Sequence, residues 1–283
     1  MTSLSTQKAK AEQLHLLHNT GKMLVLPNIW DVLGAILLES LAFEAVATAS
    51  ASIAFTNGYN DGENIPFEEL LKLLKKIAGS VNIPVTADIE SGYADNDAQL
   101  EKNIQLLIET GIVGINIEDT NTRTNQLYPV ERQCNRIRLI RHVADEMDIP
   151  LFINARTDVF FQGDVFLTPE SKFDEILRRG LAYKEAGANC FYPIALRKQE
   201  DIQQLVNQLD MPINILTIPG IPDLPVLNEM GVARVSLGPS FLKIAMRSMK
   251  NLASQLRYYE GLTSITENEI TSDYLKNLVN KIY

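Results

Sequence analysis

The chain has little sulfur and little imidazole. Of its 283 residues only two are cysteine, Cys134 and Cys190, and three are histidine, His15, His18 and His142. Two cysteines with no C-x-x-C spacing exclude a disulfide framework and make a reducing cytoplasm the default compartment. The histidines fall in segments of helical pattern, away from the ends of the apolar runs, which argues against a histidine-ligated zinc site and a histidine general base. No lysine closes an apolar run, so a Schiff-base aldolase is not expected. No G-x-G-x-x-G turn follows an early strand, and no Walker-type phosphate loop is present. Positive charge is scarce as well: 26 Lys and Arg stand against 35 Asp and Glu, a net charge of −9. No basic cluster stands out, so nucleic acid is not an expected partner. The N-terminus MTSLSTQKAKAEQ lacks the apolar core of a signal peptide. The longest apolar stretch, 41–55, is interrupted by Glu44, Thr48, Ser50 and Ser52. It falls short of the roughly 20 residues that a membrane span needs. The expectation is a soluble cytoplasmic protein with no membrane partner.

What is present is a regular alternation. Eight β-rich runs read as strands: 23–28, 43–50, 83–89, 111–118, 150–156, 189–195, 213–219 and 233–239. They are mostly continuous apolar runs, as expected of parallel strands buried on both faces. Amphipathic segments lie between them. In 67–79 the stripe is Leu70, Leu71, Leu74 and Ile77, and in 97–111 it is Leu100, Ile104, Leu107 and Ile108. Segments 131–147 and 172–188 follow the same pattern, and Gly111, Gly187 and Gly231 are placed as C-terminal caps. Eight β/α units without a break in composition predict an α/β fold of the (β/α)₈ barrel type. A single domain over 1–283 is expected, with the barrel at about 20–245 and a helical extension at about 246–283. A doubly wound sheet is the alternative, and it lacks its glycine-rich turn.

The ends of the apolar runs carry the chemistry. Asp88 and Glu90 close one, Glu118 and Asp119 the next, Arg156 and Asp158 a third. Strand ends of a barrel converge on one mouth, and alternate residues point the same way. Carboxylates facing one cavity repel each other unless a cation sits among them, and with no histidine or cysteine nearby a hard ion such as Mg²⁺ suits them. Capping of the following helices, or ion pairs with Arg156, is the competing explanation for any one acid. Arg156 itself is shaped for a two-point grip on a substrate carboxylate, or for a structural pair with an acid on the next strand. Both cysteines read as small apolar packing residues.

The order of these blocks resembles the isocitrate lyase/phosphoenolpyruvate mutase superfamily. The residues that carry the likeness are TADIESGY, GINIED and NARTD, with PNIWDVLGA (27–35) and TASASIAFTNGYNDG (48–62) upstream and LGPS (237–240) near the last strand. The resemblance spans roughly residues 20–245. It implies a Mg²⁺-dependent barrel, with Mn²⁺ as a substitute, whose eighth helix is swapped between subunits of a homodimer or homotetramer. It also implies a small α-oxo or α-hydroxy carboxylate as partner, and a C–C or P–C bond made or broken through a pyruvate-type enolate.

By position, Asp88 would bind the metal most directly, with Glu90 and Glu118 holding it largely through its waters. Thr48, Ala49 and Ser50 would receive the substrate carboxylate, Arg156 would neutralise charge on substrate oxygens, and Asp61 would reach the metal shell or the reacting group. Trp30, Asn116 and Asn214 would line the pocket. The sequence departs from the family pattern in three places. Glu90 stands for its second aspartate, 120–134 lacks the lyase K-[KR]-C-G-H loop, and Ile194 replaces a glutamate of methylisocitrate lyases. These departures favour an activity like that of oxaloacetate decarboxylase, phosphonopyruvate hydrolase or phosphoenolpyruvate mutase. The alternatives are a non-catalytic metal- and carboxylate-binding barrel, or a methylisocitrate lyase-like enzyme that manages without the cysteine loop. Arg123 is the one cationic residue placed to gate the site between the fourth strand and its helix.

Overall fold

The computed structural model describes residues 4–162 and 168–280. Its frame is a ring of eight parallel strands. They are β1 (Leu24–Leu26, continued past Pro27 as Asn28–Ile29), β2 (Val46–Thr48), β3 (Val85–Asp88), β4 (Gly114–Glu118), β5 (Phe152–Thr157), β6 (Cys190–Pro193), β7 (Asn214–Leu216) and β8 (Arg234–Ser236). Pro27 has no N–H for a ladder and divides β1 in two. The half before it pairs with β8, the half after it with β2. Pairing then runs in order from β2 to β6, and β7 pairs with β8. The remaining seam, β6 to β7, is closed by a parallel bridge at Phe191 and Ile213 and by Phe191 N–H donating to Pro212 O at 2.9 Å. The ring is therefore a (β/α)₈ barrel.

The strands are buried on both faces, as expected of parallel strands in a barrel, and their side chains alternate between two environments. Val85, Ala87, Ile115, Ile117, Ile153, Ala155, Phe191, Ile215 and Val235 belong to the buried apolar core under the helices. The residues between them are polar and face the barrel interior. Arg234 on β8 donates from Nη2 to Asn116 Oδ1 on β4, across the ring, at 3.3 Å. Asn154 Nδ2 donates to the same oxygen at 2.7 Å, and Ser236 Oγ to Asn214 Oδ1 at 3.1 Å. The residues on these strands thus hold two environments apart, an oily jacket and a polar axis.

The helices supply the jacket. They include α1 (Leu4–Leu17), α2 (Val32–Ser40), α3 (Ser50–Thr56), α4 (Phe67–Ser80), α5 (Asp97–Ile108), α6 (Val130–Glu146) and α7 (Pro169–Glu185). On α4, Leu70, Leu74 and Ile77 are buried on one stripe, each contributing roughly 1.5–3 kcal/mol. Local signals set the starts. The Asp31 carboxylate accepts from Gly34 N–H at 2.7 Å, and the Asn96 side chain from Gln99 N–H at 3.0 Å. Helix α7 starts three residues before the expected 172, because Thr168 and Ser171 form a reciprocal cap and Pro169 occupies the first turn. Helix α1 closes the barrel floor. Gln7 Nε2 donates to Ile108 O (2.7 Å) and Ile112 O (3.0 Å), and Lys10 Nζ to Val81 O (2.7 Å). Gly114 permits this close seating, since a Cβ there would stand 2.8 Å from Leu14 Cδ2.

Helices α8 (Gln199–Leu209) and α9 (Leu224–Glu229) follow β6 and β7. The C-terminal extension forms α10 (Ser240–Leu256), α11 (Leu262–Thr266) and α12 (Ser272–Val279). The expected helical extension, about 246–283, runs beyond the described residues at 281–283. Helix α12 packs on α2 and buries Leu278. Helix α10 buries none of its residues and exposes Ile244, Met246, Met249 and Leu256.

Candidate active site

The strand ladder fixes which side chains meet at the mouth. One row of paired positions runs Asp88, Asn116, Asn154, Cys190 across β3 to β6. The next row runs Glu118, Arg156, Tyr192, and Glu118 N–H donates to Glu90 O at 2.9 Å, which brings Glu90 alongside it. Parallel pairing in register thus sets the acids, the arginine and a tyrosine side by side.

Asp88 is held from the β2 side. Ser50 Oγ donates to Asp88 Oδ2 at 3.0 Å, and Asp88 N–H donates to Thr48 Oγ1 at 3.1 Å. Asn28 braces the same corner, donating to Thr48 O at 2.8 Å and accepting from Leu237 N–H (2.7 Å) and Gly238 N–H (3.0 Å). Ala49, buried, begins the turn into α3. Arg156 lies between two carboxylates. Its Nη1 stands 2.8 Å from Glu118 Oε2, and its Nε donates to Asp158 Oδ1 at 2.6 Å. Burial disfavours the charged guanidinium, but Glu118, Asp158 and Asp88 outweigh it and keep Arg156 protonated.

The carboxylates carry more negative charge than Arg156 balances. Burial pushes Asp61 above the ordinary carboxylate range, and Asp88 beside it pushes further. Burial, then Asp61 and Asp88, raise Glu90 to about 8. Burial holds Glu118 well above its ordinary value against the pull of Arg156. Mutual repulsion of this kind, among oxygen donors with no histidine or thiol nearby, fits a hard divalent cation. Among the described residues, no three His, Cys, Asp or Glu side chains are grouped closely enough to ligate an ion together.

Other expected residues lie around this cluster or apart from it. Glu90 has φ 52, and its two oxygens accept from Glu63 N–H (2.7 Å) and the Tyr93 hydroxyl (3.3 Å). Asn116 and Asn214 sit deeper, in the polar axis with Arg234 and Ser236. Trp30 is half-buried against the apolar core. Asp119, although it closes an apolar run, serves the framework: it accepts from Thr157 Oγ1 and the Tyr183 hydroxyl, each at 2.7 Å, and from Arg179 Nη1 at 2.9 Å. Arg123 is exposed and ion-paired with Asp95, beside a cavity of about 530 Å³ bounded by Glu63, Tyr93, Thr122 and Arg132. Cys134 is buried on α6, with Sγ 3.5 Å from Ala182 O, and Cys190 is buried in the barrel interior.

Two residues that sequence reasoning passed over belong here. Glu63 ties three loops together, accepting from Ser91 Oγ and Tyr93 N–H at 2.7 Å and from Thr122 Oγ1 at 2.9 Å. No pattern around Glu63 signals that task. Tyr192 reads as one more apolar residue of a strand, and only its pairing with Arg156 reveals its place.

Comparison with known proteins agrees with the fold. Residues 14–257 match the phosphoenolpyruvate phosphomutase family. An uncharacterised protein of Mycobacterium tuberculosis (strain H37Rv) is 31% identical over 225 residues, covering 79% of this chain and 81% of that one. A 2-methylisocitrate lyase of Bacillus subtilis (strain 168) is 23% identical over 218 residues, 74% of this chain and 67% of the enzyme. Oxaloacetate decarboxylase 1 of Pseudomonas putida (strain W619) is 26% identical over 251 residues, 85% and 81% of the two chains. The crystal structure of a candidate phosphonomutase from Burkholderia cenocepacia J2315 superposes with a TM-score of 0.84 at 34% identity, over 88% of this chain and 99% of that one.

Proposed function

Because the chain belongs to the phosphoenolpyruvate phosphomutase family, we propose that it is an enzyme of the lyase or phosphonomutase kind. In this reading it acts on a C–C or P–C bond of a small α-oxo carboxylate through a pyruvate-type enolate, and decarboxylation of oxaloacetate suits its residues best. The observation that carries this reading is the meeting of Asp88, Glu118 and Arg156 at adjacent strand ends, with Glu90 alongside Glu118.

Mg²⁺, or Mn²⁺ in its place, would be held by Asp88 directly and by Glu90 and Glu118 through water, and would supply a Lewis acid for the 2-oxo group. The chain's own groups do the rest. Ser50, with Thr48 and the backbone at Ala49, offers donors at the β2 end for the substrate carboxylate. Arg156, kept protonated, balances charge that builds on substrate oxygens as the bond at C3 breaks. Glu118 holds Arg156 in place through its 2.8 Å contact. Loss of CO₂ needs no protein acid in the cleavage step, which accords with two cysteines that are both buried. That placement also counts against a methylisocitrate lyase-like cleavage.

The test is pyruvate release by the purified protein with Mg²⁺ from a panel of oxaloacetate, phosphonopyruvate and substituted malates. Release from one of them is expected, and its absence from all would end this reading. Glu118→Gln should stay folded and lose turnover. A non-catalytic carboxylate-binding barrel is the second reading, and Glu90 favours it, because both its oxygens are already engaged. Thermal stabilisation by oxalate with Mg²⁺, without turnover of any oxo acid, would select it.

The reading extends to assembly. A homodimer or homotetramer in which α10 crosses to a neighbouring subunit would cover the exposed Ile244, Met246, Met249 and Leu256.

A further inference from the structure

Three residues with full side chains take left-handed backbone and are bonded to one another: Glu63 (φ 57), Glu90 (φ 52) and Tyr93 (φ 55). Such a conformation is costly for them and persists only where the surroundings over-determine it. Here their own polar groups do so. Glu63 N–H donates to Glu90 Oε2 at 2.7 Å, and the Tyr93 hydroxyl to Glu90 Oε1 at 3.3 Å. Glu63 Oε1 accepts from Tyr93 N–H and Ser91 Oγ, both at 2.7 Å, and its Oε2 accepts from Thr122 Oγ1 at 2.9 Å. The knot joins the loop before α4, the turn after β3, and the hairpin after β4 in which Thr120–Asn121 pairs with Gln126–Leu127. Glu63, Ser91, Tyr93 and Thr122 all line the cavity of about 530 Å³. Hydrogen bonds, more than close packing, therefore hold them.

The knot bears on the cation site through Glu90, which lies alongside Glu118. A glutamate side chain has several rotatable bonds, and unrestrained it samples many positions. Two bonds hold this one, and the shorter comes from the Glu63 backbone. The Glu63 carboxylate in turn pins that backbone to two other segments. Each carboxylate oxygen has two lone pairs, so Glu90 can accept from Glu63 and Tyr93 and still accept from a water held by an ion. We propose that Glu63 is a positioning residue of the cation site. It does not touch the ion, and it fixes Glu90 as an acceptor for the ion's water. Choice between hard cations turns on ligand number and flexibility. Mg²⁺ keeps its waters in a regular shell, whereas Ca²⁺ takes about six to eight oxygens in a yielding one. Glu90 fixed by Glu63 favours Mg²⁺, and Glu90 set loose is free to reach Ca²⁺ directly.

This proposal rests on the cation site of the proposed function, and the experiment separates the two. Mg²⁺ and Ca²⁺ are titrated calorimetrically, without substrate, into wild type, Glu63→Gln, Glu90→Gln and the double variant. Glu63→Gln keeps the shape of the side chain, but its amide nitrogen cannot accept, so at least one tie is lost. It should weaken Mg²⁺ at least about 10-fold and Ca²⁺ by no more than about twofold. On the Glu90→Gln background the same change should alter Mg²⁺ affinity by less than about twofold, because Glu63 acts through Glu90. Equal losses for both cations, or the same loss with and without Glu90, would make Glu63 a brace for the loops alone and overturn its role. If Glu63→Gln does not fold, Thr122→Val removes one tie and leaves both glutamates in place. A narrowed preference for Mg²⁺ over Ca²⁺ in that variant supports the proposal, and an unchanged one overturns it. If wild type binds Mg²⁺ and turns over no oxo acid, the activity is wrong and the double-variant comparison still decides the role of Glu63. If wild type binds neither cation, both fall.

Discussion

Asp88 and Asp119 are both aspartates at strand ends, yet they face different work. Asp88 receives one side-chain hydroxyl and borders the mouth. Asp119 is wholly buried and receives Thr157, Tyr183 and Arg179. Asp88→Asn is expected to abolish stabilisation by Mg²⁺ and to cut turnover at least about 100-fold, with little change in the metal-free melting temperature. Asp119→Asn leaves the buried Arg179 without its charge partner, and denaturant unfolding should show a loss of roughly 3 kcal/mol with Mg²⁺ binding retained.

Glu90 contributes a pH dependence of its own. Its carboxyl is raised from 4.5 to about 8, so between those values the folded protein holds a proton that the unfolded chain has released. Stability of the metal-free protein falls across that window as pH rises, by up to about 5 kcal/mol from this group. Glu90→Gln should flatten the slope in a pH series of unfolding curves.

At the scale of elements, the floor helix α1 works in the opposite sense. His18 follows it, stacks on Phe152 at 4.0 Å between ring centroids and has Nδ1 2.8 Å from Leu14 O. Burial, then the charge of Arg234, lowers its pKa from 6.5 to about 3. The unfolded chain takes up a proton there that the folded one refuses. This contribution is complete above pH 6.5 and is lost as pH falls toward 3. His18→Leu should remove part of the acid sensitivity, read as a smaller drop in melting temperature between pH 7 and pH 4.5. At the other end of the barrel, the short strands place their chemistry by register. A slip of one residue in β5 would turn Arg156 outward and Ala155 inward.

At the scale of the whole molecule, the barrel closes on itself, whereas helix α10 does not bury its own apolar surface. Helix α10 has a well-formed apolar stripe and no buried residue. The protein is expected to run as a dimer or tetramer by light scattering at micromolar concentration. Met246→Glu combined with Met249→Glu should shift it to monomer, and a wild type that is already monomeric would count against the assembly.

The sequence by itself determined the β/α alternation, the glycine stops and the strand-end acids, because these depend on periodicity and backbone preference within one segment. Gly111, Gly187 and Gly231 take positive φ as their placement demands. It also carried Asp88, Glu118 and Arg156, since a charged residue closing an apolar run is visible in one dimension. The tertiary structure alone decided what each polar residue faces. Asp119 and Glu118 are neighbours in the chain, yet one points to α7 and the other to the mouth, because successive strand residues point to opposite sides. Tyr192 and Glu63 owe their places to partners 36 and 28 positions away, Arg156 and Ser91, and contacts across such distances have no periodic trace in a sequence.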